Sequence, residues 1–230
     1  MSMVSLLKSV FNSCRNSINR WKAKRSLAIF KKHGYEALIL FNDCLNKHNI
    51  RYSLAFGTLL GAIREHDFIP YDDDIDVAMW INDYRPELID YLKQDGFSLK
   101  HTFSVDNDNY GKEISFDYKG VQVDIFFFYK SEDNSVYCCD FINRPGCANR
   151  KESIKKYGGL LPRKLYLPLG DNVTTTNFKG IDVSIPTNFE EILSFRYGED
   201  YMTPKPGWKP TTDYIKEVPE WNGIYEEFKR

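Results

Sequence analysis

The chain has 230 residues, 42% of them hydrophobic and 27% charged, enough for one good core with an appendage but hardly for two full domains. Aromatic residues make up 15%, so the core is expected to be rich in Phe and Tyr. A net charge of −1 gives the molecule no nucleic-acid signature, and no nucleic-acid partner is expected.

The charge is uneven: residues 1–35 hold eight Lys or Arg and no acid. No apolar run approaches the ~20 residues that a membrane-spanning helix needs. No apolar stretch with a small-residue cleavage site follows the basic residues, so no signal peptide is read. The expected compartment is the cytoplasm. The five cysteines, Cys14, Cys44, Cys138, Cys139 and Cys147, match no zinc spacing and are expected as unpaired thiols.

In chain order, Val4, Leu7, Phe11, Cys14, Ile18 and Trp21 recur at spacings of three and four and define one face of a basic amphipathic helix. Such a helix docks on the body, on a second subunit, or on an anionic membrane surface at the inner face of the membrane. Residues 1–25 are therefore set apart from a single body over 26–230. A second, more buried helix is predicted over 26–48, with Ala37, Leu38, Leu40, Phe41, Cys44 and Leu45 as its apolar stripe. A short strand is predicted over 51–56, broken by Gly57-Thr58, then a short helix over 59–64. Strands follow over 74–80, 97–103, 112–118 and 121–129, with a helix over 85–94 between the first two. Residues 178–185, with Lys179-Gly180 inside, read as a tight hairpin. A helix over 188–197 follows, with Thr187 and Glu190 in a capping-box pattern. The Pro-rich tail beyond Thr203 reads as an irregular wrap.

The chemistry concentrates in residues 56–77, FGTLLGAIREHDFIPYDDDIDV. Asp72, Asp73, Asp74 and Asp76 fall within five positions. In a strand, residues two apart share a face, so Asp74 and Asp76 stand side by side. Like charges that close are costly unless a cation lies between them, and Mg²⁺ suits one or two carboxylates plus substrate phosphates. The ordinary meaning of an Asp run is a solvated turn. The apolar neighbours Phe68, Ile69, Ile75, Val77 and Met79 weigh against that. Gly57-Thr58, at a strand end that opens a helix, is a natural anion site. Asp124 sits in VQVDIFFFY, where a carboxylate is expensive unless metal-bound or paired, with the backbone, Lys112 or Arg64 as the available partners. Arg64 reads either as a phosphate clamp or as a salt bridge to Glu65 or Asp67. His66 and His101 read either as polar site residues or as structural ones, with the structural reading favoured. Gly57, Thr58, Arg64, Asp72 and Lys112 form the expected substrate-binding set, and Asp74, Asp76 and Asp124 the catalytic and metal-binding set.

This stretch resembles the LicD family of phosphotransferases, which includes bacterial phosphocholine transferases of cell-surface glycans and the catalytic domains of fukutin and fukutin-related protein. VDIFFF around Asp124 and FKGIDVSIPTNFEEILSFRYGEDYMTP extend the resemblance, in family order, over residues 40–203. The resemblance implies an α+β, nucleotidyltransferase-type (DNA polymerase beta-like) mixed sheet flanked by helices. Asp74 and Asp76 would be its metal pair, Asp124 the third acid and Asp72 a further acid of the motif. Tyr71 departs from the family's usual Trp. The implied reaction moves a phospho-alcohol, such as phosphocholine or ribitol phosphate, from a CDP-alcohol donor to a hydroxyl of a glycan acceptor, lipid-linked or membrane-proximal, releasing CMP. The cofactor would be Mg²⁺, with Mn²⁺ as a substitute. Two alternatives remain: transfer of an NMP from an NTP with pyrophosphate release, and a non-catalytic glycan- or membrane-associated scaffold. Selectivity is expected in the loops 104–110 and 141–161.

Overall fold

A computed structural model describes residues 3–205 and 211–228, with side chains from Arg20 onward. One helix, α1 (Met3–Lys47), runs without a break where two were expected. The residues between the two apolar stripes, Lys22 to Arg25, are good helix formers with no Gly or Pro to interrupt them. The stripe Val4 to Ile18 lies outside the described side chains. Trp21 is 60% exposed, with the Arg25 guanidinium over its ring at 5.5 Å. From Phe30 onward the helix buries Ala37, Leu38, Phe41, Cys44 and Leu45 of its expected stripe, while Leu40 is half-buried. No helix among the described residues is long and apolar enough to cross a membrane.

Strand β1 is only Ser53–Leu54, because Phe56 already opens α2 (Phe56–Arg64) with a left-handed φ of 46°. Next come β2 (Asp74–Trp80), α3 (Leu88–Gln94), β3 (Ser98–Val105), β4 (Gly111–Tyr118) and β5 (Val121–Lys130). They lie close to their expected positions, since each strand alternates or is continuously apolar. Then follow β6 (Val136–Ile142), α4 (Arg150–Tyr157) and β7 (Leu161–Tyr166). The last elements are β8 (Val173–Phe178), β9 (Ile181–Pro186), α5 (Phe189–Tyr197), β10 (Ile215–Glu217) and β11 (Gly223–Glu227). The expected loop 141–161 thus carries α4, and the expected irregular tail supplies two edge strands.

The strands form one mixed sheet in the order β10-β7-β6-β5-β4-β3-β11, with β2 parallel to β5 and β1 antiparallel to β2. Along β2 and β5 the odd-numbered residues Ile75, Val77, Met79, Val123, Ile125 and Phe127 are fully buried and face the core under α1. The even-numbered residues Asp74, Asp76, Gln122 and Asp124 share the opposite face.

The separate hairpin β8–β9 turns at Lys179 (φ 50°) and Gly180 (φ 93°), both left-handed, as a two-residue type I′ turn requires. The turn was expected, but the first strand lies wholly before it. This hairpin locks the loop leading to β2. Phe68 packs edge-on between Phe30 of α1 and Phe178 of β8, at ring distances of 4.6 and 4.8 Å. The Lys179 amide donates to the His66 carbonyl at 3.1 Å, and its ammonium pairs with Asp67 at 2.7 Å. The Thr187–Glu190 capping box does not form. Asn188 caps by position only, and its amide group instead donates to Glu191 at 2.9 Å and to the Pro168 carbonyl. The thiols of Cys44, Cys138 and Cys139 are buried and unpaired, and burial pushes those of Cys44 and Cys139 up to about 12.

Candidate active site

The parallel register of β2 on β5 makes the site. Asp76 stands directly beside Asp124, while Asp74 lies two residues back opposite Gln122. A ligand oxygen from each of Asp74, Asp76 and Asp124 falls within 4.8 Å of the other two. The three expected acids therefore form one cluster. Residues 72–73 lead directly into it from the turn at 70–71, so the Asp run is not a detached solvated loop.

Electrostatics marks the cluster as short of positive charge. Burial, then the charges of Asp124, Asp73 and Asp72, raise Asp74 from 3.8 to about 7. Burial and the neighbouring acids, Asp74 foremost, hold Asp76 well above the usual carboxylate range, with Arg196 opposing. Burial also raises Asp124, against hydrogen bonds from Ser115 and Gln122 and the charge of Lys100. Desolvated carboxylates facing one another are the arrangement a hard cation relieves, and three oxygen donors at this spacing could hold one.

Asp76 and Asp124 are held from behind. The Thr58 hydroxyl, fully buried, accepts the Asp76 backbone N–H at 2.9 Å. The Ala55 N–H donates to the Asp76 carbonyl at 3.0 Å. Thr58 thus ties α2 to β2, a different duty from the helix-opening anion contact expected of it. Gly57 is placed by close approach: a Cβ there would lie 2.6 Å from an Asp72 carboxylate oxygen. Asp72 itself is raised to about 6 by burial and Asp73, with Arg64 opposing. Asp124 accepts from the Ser115 hydroxyl on one oxygen and from the Gln122 amide at 2.6 Å on the other.

The substrate-binding set divides. Gly57, Arg64 and Asp72 line one cleft beside the acids. Arg64 does pair with Glu65, at 2.8 Å, and also donates to the Tyr201 carbonyl at 3.3 Å. Lys112 does not join them. Its even number on β4 turns it to the face away from Asp124, where its ammonium pairs with Asp108 and lies 4.7 Å from the Tyr84 ring centroid.

Further residues join the site through the fold. Ser115 of β4 is the cross-strand partner of both Asp124 and His101, and its hydroxyl lies 2.8 Å from His101 Nε2. Burial, with Arg150 and Lys100, lowers His101 to about 4, and burial raises the adjacent Glu113 well above its usual range. His101, Glu113 and Asp124 form a second group within the same 4.8 Å span, sharing Asp124 with the first. Lys100 reaches Gln122 at the β3 bulge. From α5, the Arg196 guanidinium lies 4.4 Å over the Phe56 ring and donates to the Tyr214 hydroxyl at 3.0 Å. Gln122 was open to the same period-two argument as Asp74 and Asp76. Ser115, His101 and Arg196 carry no local signal, because register and helix docking bring them in.

A mixed sheet whose paired acids meet a third acid on the next strand, backed by a glycine-hydroxyl helix, makes an acidic centre able to hold a hard cation. The family model described as LicD/FKTN/FKRP, nucleotidyltransferase domain, matches residues 49–188, and the chain belongs to this family. The ribitol-5-phosphate transferase FKTN of Macaca fascicularis is 30% identical over 199 residues, 85% of this chain and 38% of its own length. The human ribitol-5-phosphate transferase FKTN is 29% identical over the same span and shares. The lipopolysaccharide cholinephosphotransferase LicD of Haemophilus influenzae is 51% identical over 45 residues, 20% of this chain and 17% of that protein. The chain thus spans less than half the length of these relatives.

Proposed function

We propose that the chain is a metal-dependent phosphotransferase with a nucleotidyltransferase-type fold. It would move a phospho-alcohol from a CDP-activated donor to a hydroxyl of a glycan and release CMP. The observation that carries this reading is the register pairing of Asp76 with Asp124, with Asp74 one pleat away. Family membership and relatives named for ribitol-phosphate and phosphocholine transfer support the same class.

Asp74, Asp76 and Asp124 would hold Mg²⁺ or Mn²⁺, which would supply charge neutralisation at the phosphate oxygens. The chain's own groups do the rest. Ser115 and Gln122 fix the plane of the Asp124 carboxylate, so that it meets an incoming hydroxyl in one orientation. Asp124, beside the metal, is the group placed to accept that hydroxyl's proton as general base. Thr58 and Ala55 hold the β2 backbone so that Asp74 and Asp76 keep their spacing. Arg196 offsets the negative charge around Asp76 from the α5 side. The basic N-terminal half of α1 is part of the proposal as a peripheral contact with an anionic membrane, which would bring the enzyme to lipid-linked or membrane-proximal acceptors.

The test is incubation with a panel of CDP-alcohols and Mg²⁺, with chromatographic detection of CMP. The expected result is CMP release with one donor class, abolished by chelator and by Asp76→Asn. Pyrophosphate release from an NTP would replace this reading with NMP transfer. Full turnover by Asp76→Asn would remove the acids from the chemistry.

A further inference from the structure

Glu113 of β4 is a buried carboxylate without a hydrogen bond. It is 9% exposed, and its cross-strand neighbours, Phe103 on β3 and Phe126 on β5, offer its side chain no donor. Its nearest ionisable partner among the described residues is His101 Nε2, 3.9 Å away and beyond hydrogen-bond reach. The Arg150 guanidinium adds positive charge from α4, but it stands over the Tyr225 ring at 4.2 Å and forms no ion pair with Glu113. A carboxylate buried in this way is costly unless a cation or a proton neutralises it.

The side chains around Glu113 supply what a cation needs. A ring nitrogen of His101, a Glu113 oxygen and an Asp124 oxygen lie within 4.8 Å of one another. Metal bonds of ~2.0–2.2 Å set two ligands at most ~4.2 Å apart, and His101 Nε2 and Glu113 already stand at 3.9 Å. The Ser115 hydroxyl lies among them, 2.8 Å from His101 Nε2 and in contact with Asp124 Oδ1. The other Asp124 oxygen takes the Gln122 amide, and Gln122 is the register partner of Asp74. The two oxygens of Asp124 thus face two different groups. Strand pairing fixes the arrangement, because His101, Ser115 and Asp124 stand directly opposite one another across β3, β4 and β5.

The donors also select the ion. Asp74 and Asp76 offer oxygen alone, as a hard ion prefers, whereas His101 adds an imidazole nitrogen that favours a first-row transition ion over Mg²⁺. We infer that His101, Glu113 and Asp124 form a second cation site, which takes a first-row transition ion such as Mn²⁺. The site rests on the acidic centre proposed above only in sharing Asp124, and it does not require the transfer reaction.

Pulsed EPR of the full chain tests this, with equimolar Mn²⁺ added in an excess of Mg²⁺ that occupies the all-oxygen site. Nitrogen modulation of the Mn²⁺ signal reports a bound imidazole. The modulation is expected in the wild type, retained in Asp74→Asn and lost in His101→Gln. Glu113→Gln keeps the side-chain shape and should weaken Mn²⁺ by at least ~10-fold on titration, without lowering Tm in chelator. That second variant decides the matter should His101→Gln fail to fold. No nitrogen modulation in the wild type, or modulation that survives His101→Gln, would overturn the inference and leave Glu113 a protonated structural acid. CMP release that Asp76→Asn abolishes would show in that event that the transfer reading stands without the second site. Nitrogen-coupled Mn²⁺ in a chain that releases no CMP would sink the transfer reading alone.

Discussion

Asp74→Asn offers the sharpest test of the acidic cluster, because the same substitution should kill activity and stabilise the metal-free protein. In the folded chain the Asp74 carboxyl is raised from 3.8 to about 7 by burial and by Asp124, Asp73 and Asp72. At ~1.4 kcal/mol for each step of pH, that rise makes ionised Asp74 cost about 4 kcal/mol. The sign follows from proton counting. Between pH 4 and pH 7 the unfolded chain has lost this proton and the folded chain keeps it, so apo stability falls as pH rises through that window. Below pH 4 both states are protonated and the term vanishes. Asn carries no charge at any pH. Proton sharing within the cluster already relieves part of the cost, so about half of it should reappear as stability at pH 8. For a chain of this size, ~2–4 °C per kcal/mol gives a rise in Tm of about 5 °C. The assay is thermal unfolding in chelator at pH 8 and pH 4, repeated with Mg²⁺. The variant should melt higher than wild type at pH 8 and equally at pH 4, and should lose most of the Mg²⁺-induced rise seen in wild type. A variant that melts lower than wild type at pH 8, or gains as much from Mg²⁺, would refute the reasoning.

Asp124→Asn should lose about 10²–10⁴-fold in turnover while melting above Asp124→Ala, because Asn keeps one of the two hydrogen-bond acceptors offered to Ser115 and Gln122. Near wild-type rates in the Asn variant would make Asp124 structural. Gly57→Ala should push the Asp72 carboxylate aside, since the new methyl would lie 2.6 Å from it. Because a side chain can yield where a backbone cannot, transfer should drop about tenfold with little change in Tm; unchanged kcat/KM would sink that account. The full chain should co-sediment with anionic liposomes at low salt and be released at high salt, each Lys or Arg at the surface adding ~1 kcal/mol. Retention in the supernatant at low salt would move the role of α1 to a subunit or intramolecular contact.

The parts of the fold that were legible in the sequence are those whose burial repeats locally. Ile75, Val77 and Met79 alternate with Asp74, Asp76 and Ala78, so β2 and its two faces could be read from seven residues. The continuous apolar run of β5 could be read for the same reason. β6 and β7 were missed because their paired residues mix polar and apolar side chains, such as Asp140 with Arg163, which leave no simple period. β11 was missed because Gly223 and two glutamates look like a tail; only pairing with β3 makes a strand of them. The break expected in α1 rested on two apolar stripes, and stripes report which face is covered, not where a helix stops.

The site divides along the same line. Asp74 and Asp76 were visible because i and i+2 in a strand share a face, and Asp124 because a lone acid in VQVDIFFFY contradicts its surroundings. What periodicity could not supply was the register that sets Asp76 against Asp124, a property of two strands some fifty residues apart. Register also decides Lys112, whose even number sends it to the far face while Glu113 and Ser115 turn inwards. A one-residue slip of β4 on β5 would exchange the two faces, setting Ile114 or Phe116 opposite Asp124 and removing the Ser115–Asp124 contact. The apolar face holds that register: Ile114 and Phe116, fully buried, pack with Ile125 and Val123 under α1. Moving either onto the acid face would expose a large apolar side chain at ~1.5–3 kcal/mol each. The hydrophobic half of these strands is therefore what fixes the positions of the charged half, and the geometry of the acids follows from residues that never touch a substrate.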